Sequence, residues 1–152
     1  MKRILLTGMS GTGKSAVVRA LVACGYKAID TDDGWCKPTP DGRQMWRADA
    51  IEALLDTEDT GILFVAGCEE NQVQFHPRFD RIILLSAPVE TLVERLVTRT
   101  SNSFGKTPEE LRRVLDDVQT VEPLLRRAAD HEIPTIIPIP DVVATILRLV
   151  GA

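Results

Sequence analysis

The segment Gly8-Met9-Ser10-Gly11-Thr12-Gly13-Lys14-Ser15 constrains this chain more than any other. It fits the pattern G-x-x-x-x-G-K-[ST], with the apolar run Ile4–Thr7 before it and a helical pattern after it. Gly8, Gly11 and Gly13 permit backbone angles closed to residues with side chains, so successive N–H groups turn inward around an anion. The N-terminus of the following helix adds its positive end. Lys14 then supplies a cation for the outer phosphates of a polyphosphate tail, and the Ser15 hydroxyl is suited to Mg²⁺. With average residue usage, a chance match anywhere in the chain has a probability of about half a percent, before the strand–loop–helix context is required.

The rest of the chain alternates in the same way. Lys14–Cys24 carries Val17, Val18, Leu21 and Val22 at helical spacing and meets Gly25 as a stop. Ala28–Asp30 is expected as a second strand ending in acids, and Gln44–Leu55 as a helix with Met45, Ala48, Ile51, Leu54 and Leu55 on one face. Ile62–Ala66 and Arg81–Ser86 are the third and fourth strands. Pro88 opens a helix over Val89–Arg99. The polar stretch Ser101–Thr107 contains Gly105 and reads as a loop. A helix runs from Pro108 to about Ala129, Thr135–Ile137 is the fifth strand, and Val142–Val150 closes the chain. Short, wholly apolar strands alternating with helices imply an α/β fold with a parallel sheet covered on both faces. The 152 residues show no repeat or linker, so one domain spanning 1–152 is expected.

Bulk properties exclude several classes. Hydrophobic residues at 44% and charged residues at 26% are ordinary globular values, which argues against disorder. A net charge of -4 disfavours a general nucleic-acid binder. No apolar run approaches a membrane span, and Ile4–Leu6 is too short for the core of a signal peptide. Cys24, Cys36 and Cys68 lack metal-type spacing, so reduced thiols in a cytoplasmic protein are expected rather than a disulfide framework or zinc site. His76 and His131 stand in no base-like constellation.

With the phosphate loop and the alternating pattern in hand, the chain resembles the small P-loop kinases that include adenylate, shikimate and gluconate kinases. It is most similar in pattern to shikimate kinase. The resemblance implies a three-layer α/β sandwich of the P-loop NTPase type, with a five-stranded parallel sheet in the order 2-3-1-4-5. It also implies use of ATP and Mg²⁺, with Gly8, Gly11, Thr12, Gly13, Lys14 and Ser15 around the phosphates.

Other residues follow the same resemblance. Asp30-Thr31-Asp32 looks like the D-T-D of shikimate kinase, where Asp30 would join Ser15 at the metal and Asp32 would orient or deprotonate the acceptor hydroxyl. Clustered carboxylates at a strand's C-terminal end repel unless a cation or donor satisfies them, which fits a ligand edge; a solvated acidic turn is the other reading. Arg47, in Trp46-Arg47-Ala48-Asp49, matches an arginine that grips a substrate carboxylate, or else is an exposed helical arginine. Trp35 and Trp46 form either a stacking wall or core. Gly67, ending the third strand, would let the substrate approach closely. Arg95 and Arg99 project from one helix face toward a lid at about 100–108, with Arg99 the preferred lid arginine and Arg95 and Lys106 behind it.

One match fails. Val121-Glu122-Pro123-Leu124-Leu125 resembles the R-x-P-L-Y segment, but Val121 stands at the substrate-gripping arginine. One carboxylate clamp is absent, which speaks against shikimate itself. Glu122 either meets a cationic or hydroxyl-rich substrate or pairs with Arg126. Ile137–Asp141 occupies the place that borders adenine in relatives.

The expected activity is an ATP-dependent phosphotransferase, a kinase moving the γ-phosphoryl to a hydroxyl of a small-molecule acceptor. The alternatives are a nucleoside or nucleotide kinase and a nucleotide-binding regulatory NTPase without transfer. The partners expected are nucleotide and acceptor, with no nucleic acid and no membrane, in a monomer or weak dimer.

Overall fold

The computed structural model describes residues 1–57, 61–100 and 105–152. The elements run β1 (Lys2–Thr7), α1 (Lys14–Ala23), β2 (Lys27–Asp30), β3 (Cys36–Pro38), β4 (Gln44–Trp46), α2 (Ala48–Leu55) and β5 (Ile62–Ala66). A 3-10 segment (Glu70–Arg78) leads to β6 (Arg81–Ser86), then α3 (Val89–Thr98), α4 (Pro108–Thr120), α5 (Glu122–Ala128), β7 (His131–Pro134) and α6 (Ile139–Leu149). No helix among the described residues is long and apolar enough to cross a membrane.

The main sheet is parallel, in the order β2-β5-β1-β6-β7. Numbering its five strands along the chain gives the expected 2-3-1-4-5. Its composition explains its burial. In β1, Ile4, Leu5 and Leu6 are all fully buried, yet successive side chains on a strand point to opposite faces. Ile4 and Leu6 pack with Val17 and Leu21 of α1 and Val142 and Ile146 of α6. Leu5 packs on the other side with Trp46 and with Ile51 and Leu55 of α2. Each such residue contributes about 1.5–3 kcal/mol by leaving water, and only a sheet covered on both faces lets neighbours in sequence all do so.

Four expectations about elements are corrected. Gln44–Leu55 is not one helix: Gln44–Trp46 pairs antiparallel with Cys36–Pro38, and the helix starts only at Ala48. The hairpin turn Thr39–Arg43 carries Gly42 at φ 81, and main-chain bonds join Thr39 N to Arg43 O and Gly42 N to Thr39 O. Pro123 breaks the expected long helix after Pro108, because a proline cannot continue the hydrogen-bond ladder; α4 ends at Thr120 and α5 starts at Glu122. The fifth strand is His131–Pro134 rather than Thr135–Ile137. It is an edge strand anchored by buried Ile133, while Ile136 and Ile137 are exposed. The closing helix starts earlier than expected, at Ile139 behind Pro138. The expected lid at about 100–108 lies partly outside the described residues.

Candidate active site

The C-terminal ends of β1, β2, β5 and β6 open on one edge of the sheet, and the loops leaving them build the site. Residues 8–13 leave β1 and pass directly over β6. A Cβ on Gly8 would stand 2.3 Å from the Leu85 carbonyl oxygen and 2.9 Å from Thr12 Oγ1, so no larger residue fits. Gly8, Gly11 and Gly13 hold φ values of 156°, 88° and 95°, as expected for a main-chain anion cradle. The first turn of α1 carries no acidic residue, which leaves its positive end uncompensated at the loop.

Lys14 Nζ lies over this loop, donating to the Gly8 and Met9 carbonyls at 2.6 and 2.9 Å. Ser15 Oγ donates to Asp30 Oδ2 at 2.5 Å, while Asp30 Oδ1 accepts from Asp32 N at 3.1 Å. Two oxygen donors, one a carboxylate, are thus adjacent beside Lys14, a set suited to a hard cation such as Mg²⁺. Thr12 has another task. Its side chain is fully buried and donates to the Met9 carbonyl at 2.9 Å, which ties the loop to itself.

Asp32 follows at the end of β2. Partial desolvation, then the neighbouring Asp30, raise its carboxyl above the ordinary range, with Lys14 and Arg99 opposing. Arg99 caps the C-terminus of α3. Burial lowers its guanidinium pKa, countered by the charges of Asp32 and Glu110.

The other candidates sit differently. Arg95 is a brace: it donates to Gly11 O at 3.1 Å and to Thr135 Oγ1 and O at 3.1 and 2.6 Å, tying the phosphate loop to the segment after β7. Arg47 is exposed at the start of α2, with Nη1 3.4 Å from Gly34 O, on an outer shelf shared with Lys37 and Asp49. The opening beside Gly67 is filled from within, since a Cβ there would meet Thr31 Oγ1 at 2.2 Å and Trp46 Nε1 at 3.0 Å. Packing explains that glycine, and Trp46, with no exposed surface, is core. Lys106 caps α3 through the Leu96 and Val97 carbonyls. Glu122 is buried and pairs with Arg126 at 3.1 Å, which also holds Glu132 at 2.8 Å.

Two residues not singled out from the sequence complete the cleft. Glu69 follows β5, its main-chain N–H bonded to Gln72 Oε1. Desolvation and then Asp32 push its carboxyl up to about 7, while Lys14 and Arg43 pull it down. Arg43, on the hairpin turn, reaches Asp117 of α4 at 3.7 Å. Glu69 had a legible signal: it lies three residues beyond the end of a parallel strand, on the ligand edge. Arg43 had none, because the second strand of its hairpin, Gln44–Trp46, was read as the start of a helix and the turn before it was given no element.

Among the described residues, one donor cluster has metal-like proximity: single ligand atoms of Asp32, Cys36 and Glu69 lie within 4.8 Å of one another. The thiol is a poor ligand there. Cys36 Sγ donates to Thr31 O at 3.2 Å, and burial pushes its pKa up to about 12.

Comparisons agree with this architecture. The family model described as an AAA domain matches residues 4–116, well over half of the chain. No curated protein matches significantly. Among solved structures, shikimate kinase from Acinetobacter baumannii in complex with shikimate superposes with a TM-score of 0.70 at 20% identity, covering 99% of this chain and 93% of that one. Shikimate kinase from Bacteroides thetaiotaomicron gives 0.70 at 18% identity, covering 99% of each chain. A gluconokinase from Sinorhizobium meliloti 1021 gives 0.63 at 22% identity, covering 97% of this chain and 93% of that one. The chain belongs to the AAA domain family, and its fold is the one shared by these small P-loop kinases.

Proposed function

We propose that the protein is an ATP-dependent phosphotransferase that moves the γ-phosphoryl group to a hydroxyl of a small molecule. The observation that carries this reading is the grouping of Lys14, the Ser15–Asp30 pair and Asp32 at one edge of the sheet. A carboxylate beyond the metal pair, with its pKa raised, suits a general base that faces an acceptor hydroxyl.

The roles follow from charge and reach. Main-chain amides of residues 8–13 and Lys14 hold the phosphates, and Arg99 adds positive charge from the lid side. Ser15 and Asp30 would hold Mg²⁺, which when bound neutralises charge between the outer phosphates. Asp32 accepts the proton of the acceptor hydroxyl as its oxygen bonds to the γ-phosphorus. The bond from that phosphorus to the β–γ bridging oxygen breaks, and ADP leaves with the electron pair. A raised pKa makes Asp32 a better proton acceptor than an ordinary aspartate.

The test is ADP formation from MgATP across a library of phosphorylatable metabolites. Stimulation by one acceptor class is expected. Lys14→Ala should lower turnover by about two orders of magnitude or more. Asp32→Asn should keep MgATP affinity within a few-fold and lose most of kcat. Turnover independent of every acceptor would refute transfer and favour the switch reading.

A further inference from the structure

The acceptor side of the cleft sets two carboxylates side by side. Asp32 and Glu69 approach within 4.8 Å. The cations acting on this pair are Lys14, Arg43 and Arg99. Lys14 belongs to the phosphate loop, and Arg99 feels the charges of both Asp32 and Glu110. Bound ATP would draw on both charges. Arg43 is shared with Asp117 at 3.7 Å. Arg47 stands outside, bonded toward Gly34. Cys68, next in sequence to Glu69, packs with Val121 against Met9, Leu84, Leu92 and Leu125.

We propose that Glu69, together with Asp32, selects an acceptor bearing a protonated amine near the hydroxyl that is phosphorylated, an amino alcohol or amino sugar, and rejects hydroxy acids. This rests on the phosphotransferase reading and supplies its substrate class. An ammonium has three donors and no acceptor, so it can satisfy both carboxylates through charge-assisted bonds. A carboxylate-bearing acceptor would bring a further negative charge against Asp32 and Glu69. Burial first and then the Asp32 charge push Glu69 up, and a cation set between two carboxylates within 4.8 Å would favour the ionised form of both. A soft metal is a poorer occupant, because the third donor, the Cys36 thiol, is held protonated on Thr31 O.

The experiment uses acceptors matched in skeleton and differing in charge: glucosamine, glucose and gluconate, then serinol, glycerol and glycerate. ADP formation gives kcat/KM for each, and calorimetry with a non-hydrolysable ATP analogue present gives affinity without turnover. The amines are expected to exceed the matched acids by at least about tenfold in both measures. Glu69→Gln should bring the amine-to-neutral ratio toward one, with its fold checked by thermal melting. If the neutral or acidic member turns over best, the amine inference is overturned and the phosphotransferase reading stands. If amines bind tightest but no acceptor raises ADP formation, the charge inference stands and transfer falls. An undiminished amine preference in Glu69→Gln overturns the assignment to Glu69.

Discussion

Asn71 offers a test of how the acceptor side is held in place. Arg47 N donates to Trp35 O across the β3–β4 hairpin. Antiparallel pairing alternates, so the N–H and carbonyl of the adjacent Trp46 point away from β3. Asn71, only 7% exposed, meets both: its Oδ1 accepts from Trp46 N at 2.8 Å and its Nδ2 donates to Trp46 O at 2.9 Å. One side chain thus does the work of a third strand. Asn71→Ala removes both partners and leaves two main-chain groups of a fully buried residue unmatched. Each such group costs about 1–3 kcal/mol, and local relaxation returns part, so a loss of about 3 kcal/mol is expected. For a chain of this size that lowers Tm by about 6–12 °C. Asn71→Asp keeps the acceptor for Trp46 N but sets a carboxylate against Trp46 O, so its drop should be at least as large. The assay is thermal unfolding by calorimetry at fixed pH. A shift under about 2 °C in both variants would show that the hairpin does not depend on this residue.

Two further outcomes are expected. Gly8→Ala drives a methyl group into the Leu85 carbonyl; MgATP affinity by calorimetry should fall at least about tenfold, and unchanged affinity would refute the account of the loop. Glu69 in the folded protein has its carboxyl raised from 4.5 to about 7, so between these values the unfolded chain releases a proton that the folded chain keeps. Wild type should therefore lose stability relative to Glu69→Gln as pH rises from about 4.5 to about 7, with no further divergence above. A difference in Tm that does not vary with pH would contradict the burial assigned to Glu69.

What was legible in the sequence was whatever local pattern decides. Gly8 to Ser15 need only their own backbone and the adjoining strand and helix, and β1, β5 and β6 are apolar runs that no other element suits. The acceptor side was misread where two signals competed. Met45, Ala48, Ile51, Leu54 and Leu55 carry a helical period, yet Pro40-Asp41-Gly42 is a turn signal that splits the segment into hairpin and helix. Trp46 belongs to the strand, and its environment comes from Asn71, 25 residues away. The period of Ile136-Ile137 suggested a strand, but an edge strand needs little apolar surface, and Ile133 alone anchors β7. That the side-chain donors of Arg95 and Thr12 reach Gly11, Thr135 and Met9 is a matter of tertiary placement that residue type alone does not reveal.

The contact between Arg43 and Asp117 joins the hairpin turn to α4 by two side chains at 3.7 Å, 44% and 26% exposed. A bridge so wet is worth no more than about 1 kcal/mol, comparable to thermal energy. The two banks of the cleft are therefore clasped and not welded. Added salt should slacken the clasp while leaving the apolar layers beneath untouched, so a molecule can enter past it without disturbing the sheet that holds the chemistry.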